Sequence, residues 1–319
     1  MKSILLCCTI FIISVQAKDV EKEWMEYQKK YDKNYESASE KDQRYSIFKE
    51  NLKKIEENNV LFEKGKSSHM EGVNQFSDWN TTEFFHYLNK GFSMGDKIYG
   101  EYFKKSKDFQ IPEHVDWRDR YAITSVKNQE MCGGSWAFSA VGAIECQLGM
   151  RGNILNLSEQ NIIDCAANYG CRGGSVDQAF YYVSRTGIMT DYSYPFIGTE
   201  GSCRFSDSGI RISGIIKIPS GDEKALQEAI AVGGAVSVGI DATEKLQRYK
   251  GGILDDDLCR NDSMKHWVLI IGYGKEDNKD YYIIKNSWGE QWGEKGYFRL
   301  ARNKNNQCAV ATLASFPRL

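Results

Sequence analysis

The feature that most restricts the fold is a change of hydrophobic period partway along the chain. Residues 19–59 are charged and helical in pattern, with Trp24, Tyr27 and Tyr31 at helical spacing. Within them Glu40, Arg44, Phe48, Asn51, Ile55 and Asn59 follow one another by four, four, three, four and four. All six therefore share one helical face, where Glu40 and Arg44 can pair while Phe48 and Ile55 pack. Ser135 to Leu148 predicts a buried helix, Ser158-Glu159-Gln160 opens another, and Val176 to Val183 forms a third. Beyond Ile212 the apolar residues collect into strand-like runs: Ile212 to Ile218, Ala235 to Ile240, His266 to Tyr273, Tyr281 to Lys285 and Tyr297 to Leu300. Helices first and strands afterwards predict an α+β fold with a cleft between the halves. From about Gly91 to Gln110 both patterns fail, and Lys104-Lys105-Ser106-Lys107-Asp108 predicts an exposed connector that is easily cut.

Lys2, an apolar run from Ile4 to Val15 and the exit Val15-Gln16-Ala17 have the form of a secretory signal peptide over residues 1–17. The run is too short to span a bilayer. A secreted or lysosomal location is expected, and disulfides are permitted there. Of nine cysteines, Cys7 and Cys8 leave with the signal, so seven remain and at least one is unpaired. With 41 basic and 43 acidic residues, nothing draws the chain to nucleic acid or to a membrane surface. Protein or peptide partners are expected, for a chain acting as a monomer. Asn80, Asn156 and Asn261 begin Asn-x-Ser/Thr sequons and are candidate glycosylation sites, although Asn156 can equally serve as a local turn residue.

Histidine is scarce: His69, His86, His114 and His266 are the whole set. His69 and His86 precede the connector, and His114 sits in a polar segment and is expected at the surface. His266 opens the apolar strand Trp267-Val268-Leu269-Ile270-Ile271, where a lone histidine is more often structural than catalytic. Asn286-Ser287-Trp288-Gly289 ends the next strand, and the Asn286 carbonyl can orient an imidazole if the two strands are neighbours. Otherwise it marks a strand-to-turn junction. In Cys132-Gly133-Gly134-Ser135-Trp136 a glycine turn delivers one small nucleophilic side chain to a helix N-terminus, a place that favours an anion. Taken alone, Ser135 is a helix cap. No Cys-x-x-Cys pair recurs, so a zinc site is not expected, nor is any other cofactor.

Taken together, Gln129, Cys132, Trp136-Ala137-Phe138-Ser139-Ala140, Ser158-Glu159-Gln160, Asp164-Cys165, Gly170-Cys171-Arg172-Gly173-Gly174, His266, Gly272-Tyr273-Gly274 and Asn286-Ser287-Trp288-Gly289 resemble the signature segments of papain-family peptidases, in order and at similar spacing. The helix from Glu40 to Asn59, and Gly72-x-Asn74-x-Phe76-x-Asp78, resemble the propeptide motifs of the cathepsin L branch. The resemblance implies a papain-like two-domain fold, with a helical left domain and a β-barrel-like right domain over residues 111–319. Ahead of it, residues 18–110 would be a helical propeptide that lies in the cleft and blocks it, cut near Ile111. It implies disulfides Cys132–Cys171, Cys165–Cys203 and Cys259–Cys308, leaving Cys146 as a half-buried inert thiol.

The same resemblance assigns His266, the orienting Asn286 and the oxyanion-stabilising Gln129, with Gly173, Gly174, Trp267 and Trp288 lining the substrate cleft. Protein or peptide substrates, inhibitors and the chain's own propeptide follow as its partners. At the nucleophile position, where the family has cysteine, stands Ser135. A thiol titrates near about 8.5 and is pulled lower at such sites, so a thiolate–imidazolium pair can pre-form, whereas a hydroxyl cannot. Glu130 stands where the family usually has glycine, and Trp267 where it has a small residue on the pocket wall. Three departures around one cleft imply a remodelled, proteolytically inactive or severely impaired enzyme homologue that binds protein. The alternative is a weak hydrolase using Ser135, His266 and Asn286. Silica-forming relatives of cathepsin L carry serine at the same position, which extends that alternative to non-peptide substrates.

Overall fold

A computed structural model describes residues 20–93, 100–166, 170–206 and 209–319; the signal peptide expected over 1–17 lies outside them. Two helices open the described chain, α1 (20–30) and α2 (Ala38–Glu63). They close on an aromatic cluster in which Trp24, Tyr27, Phe48 and Leu52 are buried. Ser37 starts α2 by accepting from the Glu40 N–H. The anticipated six-residue face is an anchoring row. Asn51 Nδ2 donates to the carbonyls of Ser77 and Trp79, and Asn59 exchanges two hydrogen bonds with the backbone of Glu71. Arg44 reaches Glu83 at 2.8 Å as well as Glu40 at 3.8 Å. The row thereby fixes β1 (His69–Glu71) and the start of α3 (Thr81–Gly91), whose capping box joins Asn80 and Glu83.

After β2 (Glu101–Tyr102) and β3 (Val115–Asp116) comes the helical half: α4 (Ser135–Gly149), α5 (Glu159–Cys165) and α6 (Val176–Arg185). The first twelve residues of α4 are buried, because it packs on α5 and α6 on one side and on strands of the other half. The second half carries β4 (Gly214–Lys217), α7 (Glu223–Gly233), β5 (Val236–Ile240), α8 (Glu244–Arg248), β6 (Tyr249–Leu254), β7 (His266–Glu276), β8 (Lys279–Lys285), β9 (Tyr297–Ala301) and β10 (Ala314–Arg318). Its sheet runs β1-β6-β9-β8-β7-β5-β10-β4-β2, with β3 on β7. The fold is the α+β, papain-like one that the resemblance implied.

All three implied disulfides form, Cys132–Cys171, Cys165–Cys203 and Cys259–Cys308. Cys146 is free but wholly buried rather than half-buried, and its sulfur accepts from the Ala235 N–H. Burial pushes its thiol up to about 11, so it stays protonated and unreactive. The stretch Lys104 to Asp108 is exposed, as its charge implies, but the connector is not without structure. Residues 100–106 are tied down: β2 pairs with β4, Phe103 N–H donates to the Lys217 carbonyl, and Lys105 and Ser106 bond to α7 and the residue capping it. Alternate side chains of this stretch find partners on the sheet rim, which a reading of its charge alone does not reveal.

Candidate active site

Ser135 is the first residue of α4. Its N-cap, Gly134, offers no side-chain acceptor, so the first-turn N–H groups keep their pull on an anion. The turn is held by the Cys132–Cys171 bridge and by a hydrogen bond from Gly133 N–H to the Cys171 carbonyl. Ser135 is buried, and its Oγ accepts from the Trp267 N–H at 3.5 Å. Among the described residues this hydroxyl makes no hydrogen bond to the His266 imidazole.

His266 begins β7, and Asn286 follows the last residue of β8. The antiparallel β7–β8 pairing brings them together, with His266 Nε2 and Asn286 Oδ1 2.8 Å apart. Asn286 Oδ1 also accepts from the Ser287 N–H. An oxygen only accepts, so Nε2 carries the proton and Nδ1 presents its lone pair. Trp288 stacks on the imidazole with centroids 4.8 Å apart and closes it from solvent. Burial pushes the His266 pKa down from 6.5 to about 4, and the Asn286 hydrogen bond offsets this only in part.

A pH effect of known sign follows. Unfolding restores the ordinary value, so between about 4 and 6.5 the unfolded chain binds more protons. The stability this contributes is complete above pH 6.5 and is lost as pH falls through 4, about 3 kcal/mol at about 1.4 kcal/mol per unit. An imidazole NMR titration of the full chain should give a midpoint near 4. Urea midpoints should fall over the same window more steeply for the native chain than for His266→Gln; parallel slopes would refute the assignment.

Gln129 is buried and doubly fixed. Its Nε2 donates to the Cys132 carbonyl at 2.9 Å, and its Oε1 accepts from Ser287 Oγ at 2.5 Å. The second amide N–H of Gln129 makes no hydrogen bond among the described residues. The next residue, Glu130, has φ +51°, in the left-handed region that glycine adopts freely. A side chain there costs roughly 1 kcal/mol. Its carbonyl accepts from the Tyr87 hydroxyl of α3.

Trp267 is buried and donates through Nε1 to the Gly174 carbonyl at 3.2 Å. Phe92 from the N-terminal segment stacks on its indole at 5.2 Å. Phe92 also bridges Gly174 in the parallel sense, and Ser93 N–H donates to the Gly174 carbonyl. The chain's own residues 92–93 thus lie against Gly174 and Trp267. Gly174 is obligatory, since a Cβ there would lie 2.4 Å from the Trp136 ring. Trp288 performs a second task at the cleft edge, where Phe76 and Phe84 meet it edge-on.

Two features of the site are scattered too widely in the sequence to be read from it. Behind Asn286 and Ser287, Lys127 bridges Glu145 at 3.0 Å and Glu159 at 2.6 Å, while Lys285 donates to Thr124. Burial raises the Glu159 carboxyl even with Lys127 against it. The second is a buried ion pair across the two parts of the chain, Glu71 with Arg248 at 2.7 Å, with the His69 imidazole 3.6 Å from the same carboxylate.

The profile of the papain family of cysteine proteases matches residues 111–318, and that of the cathepsin propeptide inhibitor domain matches residues 24–84. Among characterised proteins, cathepsin L of Sarcophaga peregrina is 38% identical, covering 99% of each chain, and a cathepsin L-like protein of Caenorhabditis elegans is 40% identical over 96% of this chain and 94% of its own. Among solved structures, digestive procathepsin L 3 of the Tenebrio molitor larval midgut superposes with a TM-score of 0.89 at 42% identity, covering 94% of this chain and 99% of its own. Procathepsin L2 from the same tissue gives 0.90 at 36% identity, covering 94% and 100%.

Proposed function

This chain belongs to the papain family of cysteine proteases as a cathepsin L-like member with its inhibitor propeptide, and from that premise we propose that it is a secretory zymogen-type protein whose peptidase activity is lost or severely impaired. One observation carries the reading: the side chain at the head of α4, held to the backbone N–H of Trp267 next to His266, is the hydroxyl of Ser135. A thiol at that position can pass its proton to Nδ1 of His266 and persist as a thiolate at the helix N-terminus. A serine hydroxyl is far less acidic, and serine triads orient their histidine with a carboxylate, for which Asn286 offers only a neutral amide. In this reading Gln129 supplies the oxyanion donor, and Gly173, Gly174, Trp267 and Trp288 line a cleft that retains peptide binding. Residues 18–110 act as the propeptide, with cleavage near Ile111. The exposed Asn80, Asn156 and Asn261 are the proposed glycan acceptors of a secreted or lysosomal protein.

A second reading has a specific observation behind it. His266 is held neutral with Nδ1 unprotonated, the form a general base needs, so a weak hydrolase using Ser135, His266 and Asn286 is its competitor. The two separate in one assay. Once the N-terminal segment is removed, a fluorogenic peptide panel should give the same background rate for the native chain and for Ser135→Ala. Turnover by the native chain above that background would establish the hydrolase instead.

A further inference from the structure

Residues 100–106 sit on the outer rim of the sheet, where alternate side chains have separate partners. Backbone pairing lays Glu101 and Tyr102 parallel to Ile216 and Lys217 of β4, and Phe103 N–H continues the ladder to the Lys217 carbonyl at 2.8 Å. Gly100 makes the approach possible, because a Cβ there would stand 2.9 Å from the Ile215 carbonyl oxygen. The odd-numbered side chains all turn to β10 and the start of α7, as the two-residue period of a strand requires. Glu101 takes a two-point hydrogen bond from the Arg318 guanidinium at 2.9 and 3.0 Å. Phe103 meets Phe316 edge-on, and Lys105 reaches Asp222 at 2.7 Å. The run ends where Ser106 N–H donates at 2.7 Å to Glu228, a buried carboxylate on α7 with no other hydrogen bond among the described residues. Tyr102 borders a cavity of about 260 Å³ that Met264 and Trp267 also line.

We propose that this rim is a peptide-docking exosite, which takes an extended segment of a protein partner bearing an acid, an aromatic and a base at alternate positions, and which the chain's own Glu101, Phe103 and Lys105 occupy until maturation. The chemistry is strand addition: main-chain hydrogen bonds to β4 supply attachment, and alternate side chains supply selection. The charge order is fixed by Arg318 at one end and by Asp222 and Glu228 at the other. Once the occupant departs, Glu228 loses this N–H donor, and a backbone or side-chain N–H of a partner in the same place would restore the bond. Binding here needs nothing from Ser135, so the exosite stands whichever reading of the cleft is correct.

The test uses the full chain with its own occupant spoiled by Glu101→Ser, Phe103→Ser and Lys105→Ser together. A labelled peptide with the sequence of residues 100–108 should bind this chain at least tenfold more tightly than the unaltered one, whose own segment competes. Adding Arg318→Glu should remove the binding, and a peptide with arginine in place of its glutamate should restore it. Equal binding to the spoiled and unaltered chains, or indifference to the charge reversal, overturns the proposal. Hydrogen exchange on the otherwise native Arg318→Glu chain provides a second route that does not depend on the triple variant folding. Amides of residues 101–106 should exchange at least tenfold faster, and unchanged protection there overturns it as well.

Discussion

Replacing Ser135 with cysteine is expected to raise peptide turnover by about 10³-fold or more over the native chain once the N-terminal segment is removed. Loss of a nucleophile in a hydrolase costs on the order of 10⁶ in turnover, and a mis-matched nucleophile recovers only part of that. The rest of the machinery is set for a thiol. The helix start is uncapped, the imidazole Nε2 is held by Asn286 at 2.8 Å, and the Gln129 amide is locked by two hydrogen bonds. Sulfur would also change the titration. With a thiolate beside it, His266 gains a charged partner and should rise well above its present value near 4, and that shift can be followed by NMR alongside the rate. If Ser135→Cys gains nothing, the serine is not the limiting defect, and the indole of Trp267 and the strained Glu130 must have closed the cleft to substrates. A Trp267→Gly change in the cysteine background would then recover the rate.

Arg248→Ala should release the N-terminal segment from the sheet. Arg248 and Glu71 are both buried at 2.7 Å, and removing one member of such a pair strands the other charge at a cost of about 3–5 kcal/mol. Amides of β1 should then exchange at least ~10²-fold faster in the intact chain, since about 1.4 kcal/mol is a factor of ten. Converting both residues to apolar ones of similar volume, Glu71→Leu with Arg248→Met, should recover most of the protection, because no unpaired charge remains. Unchanged exchange in Arg248→Ala would show that the asparagine row on α2 alone holds β1 in place.

Much of this was legible in the sequence because local rules and function coincide. The four-and-three spacing of Glu40 through Asn59 marked the anchoring face before its partners were known, and the glycine turn ahead of Ser135 marked the head of α4. Five strands carry weak local signals: β1, β2 and β3 are only two or three residues long, β6 has Gly251 and Gly252 in its middle, and β10 contains Pro317. The helix α7 is a plain omission, since Asp222 caps it and Ala225, Leu226, Ala229 and Ile230 recur at helical spacing. The hydrogen bond between His266 and Asn286 depended on which strands became neighbours, and only the β7–β8 pairing decides that. Glu71 with Arg248, and Phe92 on Trp267, join residues so far apart in the chain that no local pattern signals them.

The two outermost strands of the sheet, β1 and β2, both come from the N-terminal segment. A ribosome delivers that segment first, so each rim of the sheet can be covered as soon as its strands form. Exposed rims are where β-sheet proteins join one another edge to edge and precipitate. During biosynthesis this molecule never has to show one. Under the proposed cleavage the hazard would be postponed, with both edges bared together on a body that has already finished folding.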